Sequence, residues 1–172
     1  EVLKEAKNEL LEWNDSGSSV MEISHRSNLF NEVASNSKRD IKHLLNIGDD
    51  HEVLFLQGGA TLQFTSVPLN FSVKNGTLSY LNTGIWSKKA IAAASSYAEV
   101  NVVASSEEDK YTFVPDIDDW REYEQSIYLH YVMNETIQGL ALRKPISSKI
   151  PIVCDMSSCI LSETIDFNNI DK

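Results

Sequence analysis

The sequence predicts an α/β protein, a three-layer α/β/α arrangement around a mostly parallel mixed sheet. Two observations carry that expectation. Short unbroken apolar runs alternate along the chain with longer segments of helical periodicity. Apolar runs of that kind are strands buried on both faces, and the alternation feeds them into a parallel sheet covered by helices. The bulk agrees: of 172 residues, 42% are hydrophobic and 23% charged, enough for one sizeable core.

The elements follow in order. Residues 1–13 place Leu3, Ala6, Leu10 and Trp13 on one helical stripe. Residues 14–19, "NDSGSS", form a turn-rich loop. "VMEISHRS" (20–27) is irregular and ends in His25-Arg26. A second helical pattern covers 28–47, with Gly48 as its expected C-terminal cap. "EVLFLQ" (52–57) reads as a buried strand. After Gly58, "GATLQFTSVPLNF" (59–71) reads as a helix with an internal kink at Pro68. "TLSYLNTG" (77–84) is a strand, "IWSKKAIAAASSYA" (85–98) an alanine-rich helix and "EVNVVASS" (99–106) a strand. Residues 107–120 are mostly connection, and 125–136 hold a further β-rich run. "GLAL" (139–142) and "IPIVCD" (150–155) are short strands.

Charge and composition exclude several roles. The formal net charge is −10, which repels phosphate backbones, so no nucleic-acid partner is expected. No apolar run reaches bilayer length, so no membrane partner is expected either. The two cysteines, Cys154 and Cys159, make no disulfide framework, and the four histidines lack metal-ligand spacing; no metal is expected. The N-terminal segment is amphipathic rather than a charged-then-apolar signal, and the expected compartment is the cytoplasm.

Sheets of this kind bind ligands at the carboxyl ends of their strands. The residues there each have two readings. Gly58-Gly59 at a strand–helix seam is either a tight turn or a seat for an anion at a helix N-terminus. It lacks the Gly-Lys-Ser/Thr of a nucleotide loop and the G-x-G-x-x-G fingerprint. Asp155 is a turn former or a carboxylate for a ligand cation. Trp86 is core or a stacking plate, and "NET" (134–136) is a helix cap through Asn134 or Thr136, or a ligand hydroxyl. His25-Arg26 is a surface pair or an anion site. Cys154 reads as buried filler. Together, a phosphate seat, an aromatic plate, a hydroxyl and a carboxylate suit one phosphorylated aromatic cofactor, pyridoxal 5'-phosphate (PLP), whose ring nitrogen is kept protonated by an acid.

"VMEISHRS", "VLFLQGGATLQFTSVPLN", "TGIWSKKA", "YLHYVMNETIQG" and "VCDMSSCILS" occur in one order along the chain. In these stretches the sequence resembles the phosphoserine aminotransferase family, class V aminotransferases of PLP fold type I. The resemblance runs from residue 1 to about 165 and implies a partial PLP-dependent transferase large domain over 1–172. It implies PLP-phosphate contacts at Gly59, Ala60 and Thr61, ring stacking by Trp86, a contact from Thr136 to the ring's phenolic oxygen, and Asp155 on the pyridinium nitrogen. His25 and Arg26 would meet substrate anions. It further implies transamination between phosphoserine/phosphohydroxypyruvate and glutamate/2-oxoglutarate, on the route to L-serine, by a homodimer acting on small amino acids and 2-oxo acids.

Three departures follow from the same resemblance. Thr61 stands where some relatives carry Arg, and Cys159 where Asp or Asn is common. The family's Schiff-base lysine lies in a segment resembling "AGAQKN", which is absent here; Lys88, Lys89, Lys144, Lys149 and Lys172 do not occupy that context. The family's Gly-Pro-rich start and small C-terminal domain are also absent, so no catalytic residue is expected within 1–172.

Overall fold

A strand persists where neighbours complete its ladder, and the most apolar segments of this chain supply one another's. β1 (Thr77–Asn82) pairs in parallel with β2 (Glu99–Ser105) on one side and β3 (Leu129–Val132) on the other. β3 pairs in parallel with β6 (Ile152–Asp155), giving the order β2-β1-β3-β6. β4 (Asn134–Glu135) and β5 (Leu140–Ala141) form a separate antiparallel hairpin.

The computed structural model describes residues 1–71, 76–121, 123–165 and 167. They divide into two units, Glu1–Val53 and Leu54–Lys172.

In the first unit, α1 (Val2–Asn8) buries no residue and ends well before Trp13. Seven residues without a packed face are marginal as a helix, which is why the periodic stripe does not extend it. α2 (Asn28–Leu45) starts at Ser27, whose hydroxyl accepts the Phe30 N–H at 3.2 Å. Asn46, at φ 52°, ends it: its N–H donates to the His43 carbonyl, and the Ile47 N–H that follows donates to the Lys42 carbonyl. The expected cap at Gly48 is therefore replaced by an asparagine two residues earlier, a residue that tolerates the left-handed region.

The second unit opens with a correction. Residues 52–57 are not a buried strand: no ladder partner reaches them among the described residues, and Leu54, Phe55 and Leu56 stand 64%, 59% and 64% exposed. Apolar content gave the segment strand character, but a strand needs a neighbour. α3 (Gly59–Phe71) forms as expected and holds Pro68 within it. Gly58 at φ 91° and Gly59 at φ 59° turn the chain into its first helical turn. A Cβ on Gly58 would lie 2.5 Å from the Leu62 Cβ, whereas one on Gly59 meets open space. Gly59→Ala should cost about 1 kcal/mol, the left-handed penalty alone. Gly58→Ala should cost about 2 kcal/mol, because backbone strain and overpacking add. Urea midpoints of the two variants check the order.

α4 (Ile85–Ala94) is the crossover between β1 and β2. It packs with α3 over one face of the sheet, where Phe64, Leu78, Tyr80, Ala90, Ala94 and Tyr128 form a core. The other face packs Leu81, Val103, Leu129, Tyr131 and Met133 against Ile146 and side chains from the connecting segments. Two pairs of buried hydroxyls satisfy each other, Ser79 with Ser126 at 2.8 Å and Tyr80 with Tyr128 at 2.6 Å. Register sets His130 opposite Tyr80 and Val153. Alternation then puts His130 on the same face as Asp155. No helix among the described residues is long and apolar enough to cross a membrane.

Candidate functional site

The parallel sheet delivers its loops to one end. There the start of α3, the start of α4, β4 with the residue that follows it, and the end of β6 surround a cavity of about 180 Å³. Ala60, Thr61, Trp86, Thr136 and Asp155 all line it, with Phe64, Asn134, Ser157 and Ser158. Five residues singled out from the sequence are thus brought together from segments up to 95 positions apart. Gly59 adjoins them at the α3 start. His25 and Arg26 lie in the first unit, on an exposed turn before α2.

Each wall has its own chemistry. At α3, no side-chain acceptor reaches the N–H groups of Gly59, Ala60 or Thr61 among the described residues, so the first-turn donors and the positive end of the helix dipole remain open. At α4, Trp86 is held on three sides. Its backbone N–H donates to Glu135 Oε2 at 2.9 Å, its indole Nε1–H donates to Thr136 Oγ at 2.9 Å, and Lys89 Nζ sits 4.5 Å from the ring centroid. The ammonium occupies one ring face, which leaves the indole one face for a ligand. Thr136 spends its oxygen as an acceptor and keeps its O–H to donate. The "NET" segment is therefore strand and hairpin, and caps a helix 49 residues away rather than one that follows it.

At β6, Asp155 Oδ1 accepts from the Ser157 N–H at 2.9 Å and the Ser157 hydroxyl at 2.6 Å. This is the turn-forming role of an aspartate, and it fixes the carboxylate's direction. It uses one oxygen, so the turn role and a ligand role are compatible in the same side chain.

Behind Asp155 lies His130, 4% exposed, stacked on Tyr80 at 4.8 Å and edge-on to Phe64. Burial pushes its pKa down to about 4, against the opposing pull of Asp155. Its Nδ1 has no hydrogen-bond partner among the described residues. A second cavity of about 320 Å³ contains both His130 and Asp155. Cys154 is partly buried against the apolar cluster on the other face of the sheet, and burial pushes its thiol up to about 12, which suits filler rather than a nucleophile.

Glu135, Lys89 and His130 were not singled out as site residues from the sequence. His130 carries only an alternation signal within β3. Glu135 and Lys89 act on Trp86 through contacts that no local pattern encodes.

A family model described as Aminotransferase class-V matches residues 1–172. The chain belongs to the class V aminotransferase family. Among relatives of this aminotransferase-family chain, it is 46% identical over 166 residues to a phosphoserine aminotransferase of Pseudomonas fluorescens, covering 96% of this chain and 46% of that protein. It is 47% identical over 169 residues to one from Hahella chejuensis, covering 98% of this chain and 47% of that one. Among solved structures, phosphoserine aminotransferase from Bacillus circulans subsp. alkalophilus superposes with a TM-score of 0.91 at 36% identity, over 97% of this chain and 46% of that one. The PLP-bound enzyme from Trichomonas vaginalis superposes with a TM-score of 0.88 at 36% identity, over 95% and 46% respectively. The class V chain thus spans just under half the length of the relatives it matches.

Proposed function

We propose that residues 1–172 form part of the cofactor-binding large domain of a PLP-dependent transaminase. The reaction is amino-group exchange between phosphoserine/phosphohydroxypyruvate and glutamate/2-oxoglutarate, carried out by a homodimer. One observation carries the reading: open helix N–H groups, a one-faced indole, a free hydroxyl donor and an oriented carboxylate converge on one cavity. The names of the similar proteins support the same activity.

The residues fit the group on a feature of this structure. α3 leaves its first donors unspent, whereas those of α4 are already taken by Glu135. A phosphate thus belongs at Gly59, Ala60 and Thr61. Trp86 would bear on the ring, Thr136 would donate to a ring oxygen, and Asp155 would keep the ring nitrogen protonated. When bound, PLP supplies the electron sink that makes removal of a proton beside the amino group feasible. The chain's own work is to seat, orient and protonate. His25 and Arg26 would hold substrate anions, for which the guanidinium fork is suited.

The natural full chain, incubated with PLP and dialysed, should retain the cofactor and move the amino group of glutamate to phosphohydroxypyruvate. Failure to retain PLP, or retention with transfer only to other 2-oxo acids, would refute the cofactor or the substrate part of the reading respectively.

A further inference from the structure

We propose that Glu135 is a positioning residue for Trp86: its carboxylate locks the first turn of α4 so that the indole stands at the angle a flat ligand ring needs. This rests on the cofactor reading above.

Glu135 is 0% exposed. Its two oxygens are each taken by a backbone N–H of α4, Oε2 by Trp86 at 2.9 Å and Oε1 by Ser87 at 2.8 Å. Gln138 Oε1, from the same hairpin, accepts the Ile85 N–H at 3.3 Å. The three leading donors of α4 are therefore satisfied in trans. A buried carboxylate is costly unless paired, and here the helix N-terminus is the partner. The approach is close enough to dictate a neighbouring residue: a Cβ on Gly84 would lie 2.5 Å from Glu135 Oε2.

What makes this more than a cap is the next residue. Thr136 Oγ accepts the Trp86 indole N–H at 2.9 Å. Two consecutive residues thus grip Trp86 at its backbone N–H and at its indole N–H. An anchor on the backbone and another on the ring together fix the indole's position and its tilt. An N-terminal cap of ordinary kind would fix only the helix. The same grip consumes the dipole of α4, so an anion entering the cavity is left with α3.

Glu135→Gln keeps the shape and one acceptor but turns an NH₂ toward a backbone N–H, so one of the two anchoring bonds must break. In the natural full chain, folded by far-UV circular dichroism, this variant should hold PLP about thirtyfold more weakly in equilibrium dialysis, as loss of a charge-assisted bond implies. The visible circular dichroism of bound PLP, which reports how its ring is held, should fall. In a Trp86→Ala background the same substitution should weaken binding less than twofold, because its route through the indole is gone. Binding by Glu135→Gln within twofold of the unsubstituted chain, or an equal loss with and without Trp86, would overturn the proposal. If Glu135→Gln does not fold, Gly84→Ala displaces the same carboxylate and is judged by the same criteria. Absence of PLP binding by the unsubstituted chain would overturn the cofactor reading itself, and this inference with it.

Discussion

Asp155→Asn in the natural full chain should lower transamination about a thousandfold while leaving the fold intact. The size follows from an unpaired charge: removing one partner of a desolvated ion pair costs roughly 4 kcal/mol, close to three decades in rate. The separation of effects follows from this structure. Asp155 Oδ1 closes a turn with the Ser157 N–H and hydroxyl. Asparagine keeps an oxygen there and so keeps the turn, but it has no charge to hold a ring nitrogen protonated. Its unfolding midpoint should stay within about 1 kcal/mol of the parent, the net worth of one hydrogen bond. Asp155→Ala loses both oxygens and should fall in activity and stability together. Activity of Asp155→Asn within tenfold of the parent, at saturating PLP, would remove Asp155 from the chemistry and leave it a turn former.

What the sequence made legible divides along a physical line. The central strands β1 and β3 were readable because every one of their neighbours lies in this chain and their burial leaves an unbroken apolar run. α3 and α4 were readable from their starts. Residues 52–57 carry the same apolar signal as β1, yet Leu54, Phe55 and Leu56 stand exposed, because strand formation depends on a partner that periodicity does not report. In the site, Trp86, Thr136 and Asp155 could be picked out because each stands at or shortly after a strand's end, where a parallel sheet collects its loops, whereas Ala60 and Thr61 were named through the family resemblance. Asp155 kept both of its readings, the turn and the free oxygen. The residues that orient the site were illegible. Glu135 reaches α4 across 49 positions, and Lys89 matters only because the helix turns it over the Trp86 ring. Sequence marks where a ligand sits more readily than what holds the walls still.

His130→Phe should make this chain less sensitive to acid. In the folded chain burial pushes the His130 imidazole down to about 4, below its ordinary value of 6.5. Unfolded, it returns to about 6.5. Between those values the unfolded chain carries a proton that the folded chain excludes, so stability rises with pH across the window. The contribution is fully present above pH 6.5 and is lost as pH falls through 4. Over the whole window it amounts to roughly 3 kcal/mol, and by pH 4.5 most of it should already be gone. The groups against the imidazole are Tyr80 on β1, Phe64 on α3 and Asp155 on β6, and only Asp155 opposes the shift. Phenylalanine preserves the stack on Tyr80 and removes the proton. Urea titrations at pH 7 and pH 4.5 should show the parent losing about 2 to 3 kcal/mol more than the variant. Carboxylates away from His130 titrate alike in both proteins and cancel in the difference; Asp155, which faces the imidazole, is the exception. Equal losses would mean that His130 keeps its proton in the folded state, with its orphaned Nδ1 shared with Asp155 rather than buried neutral.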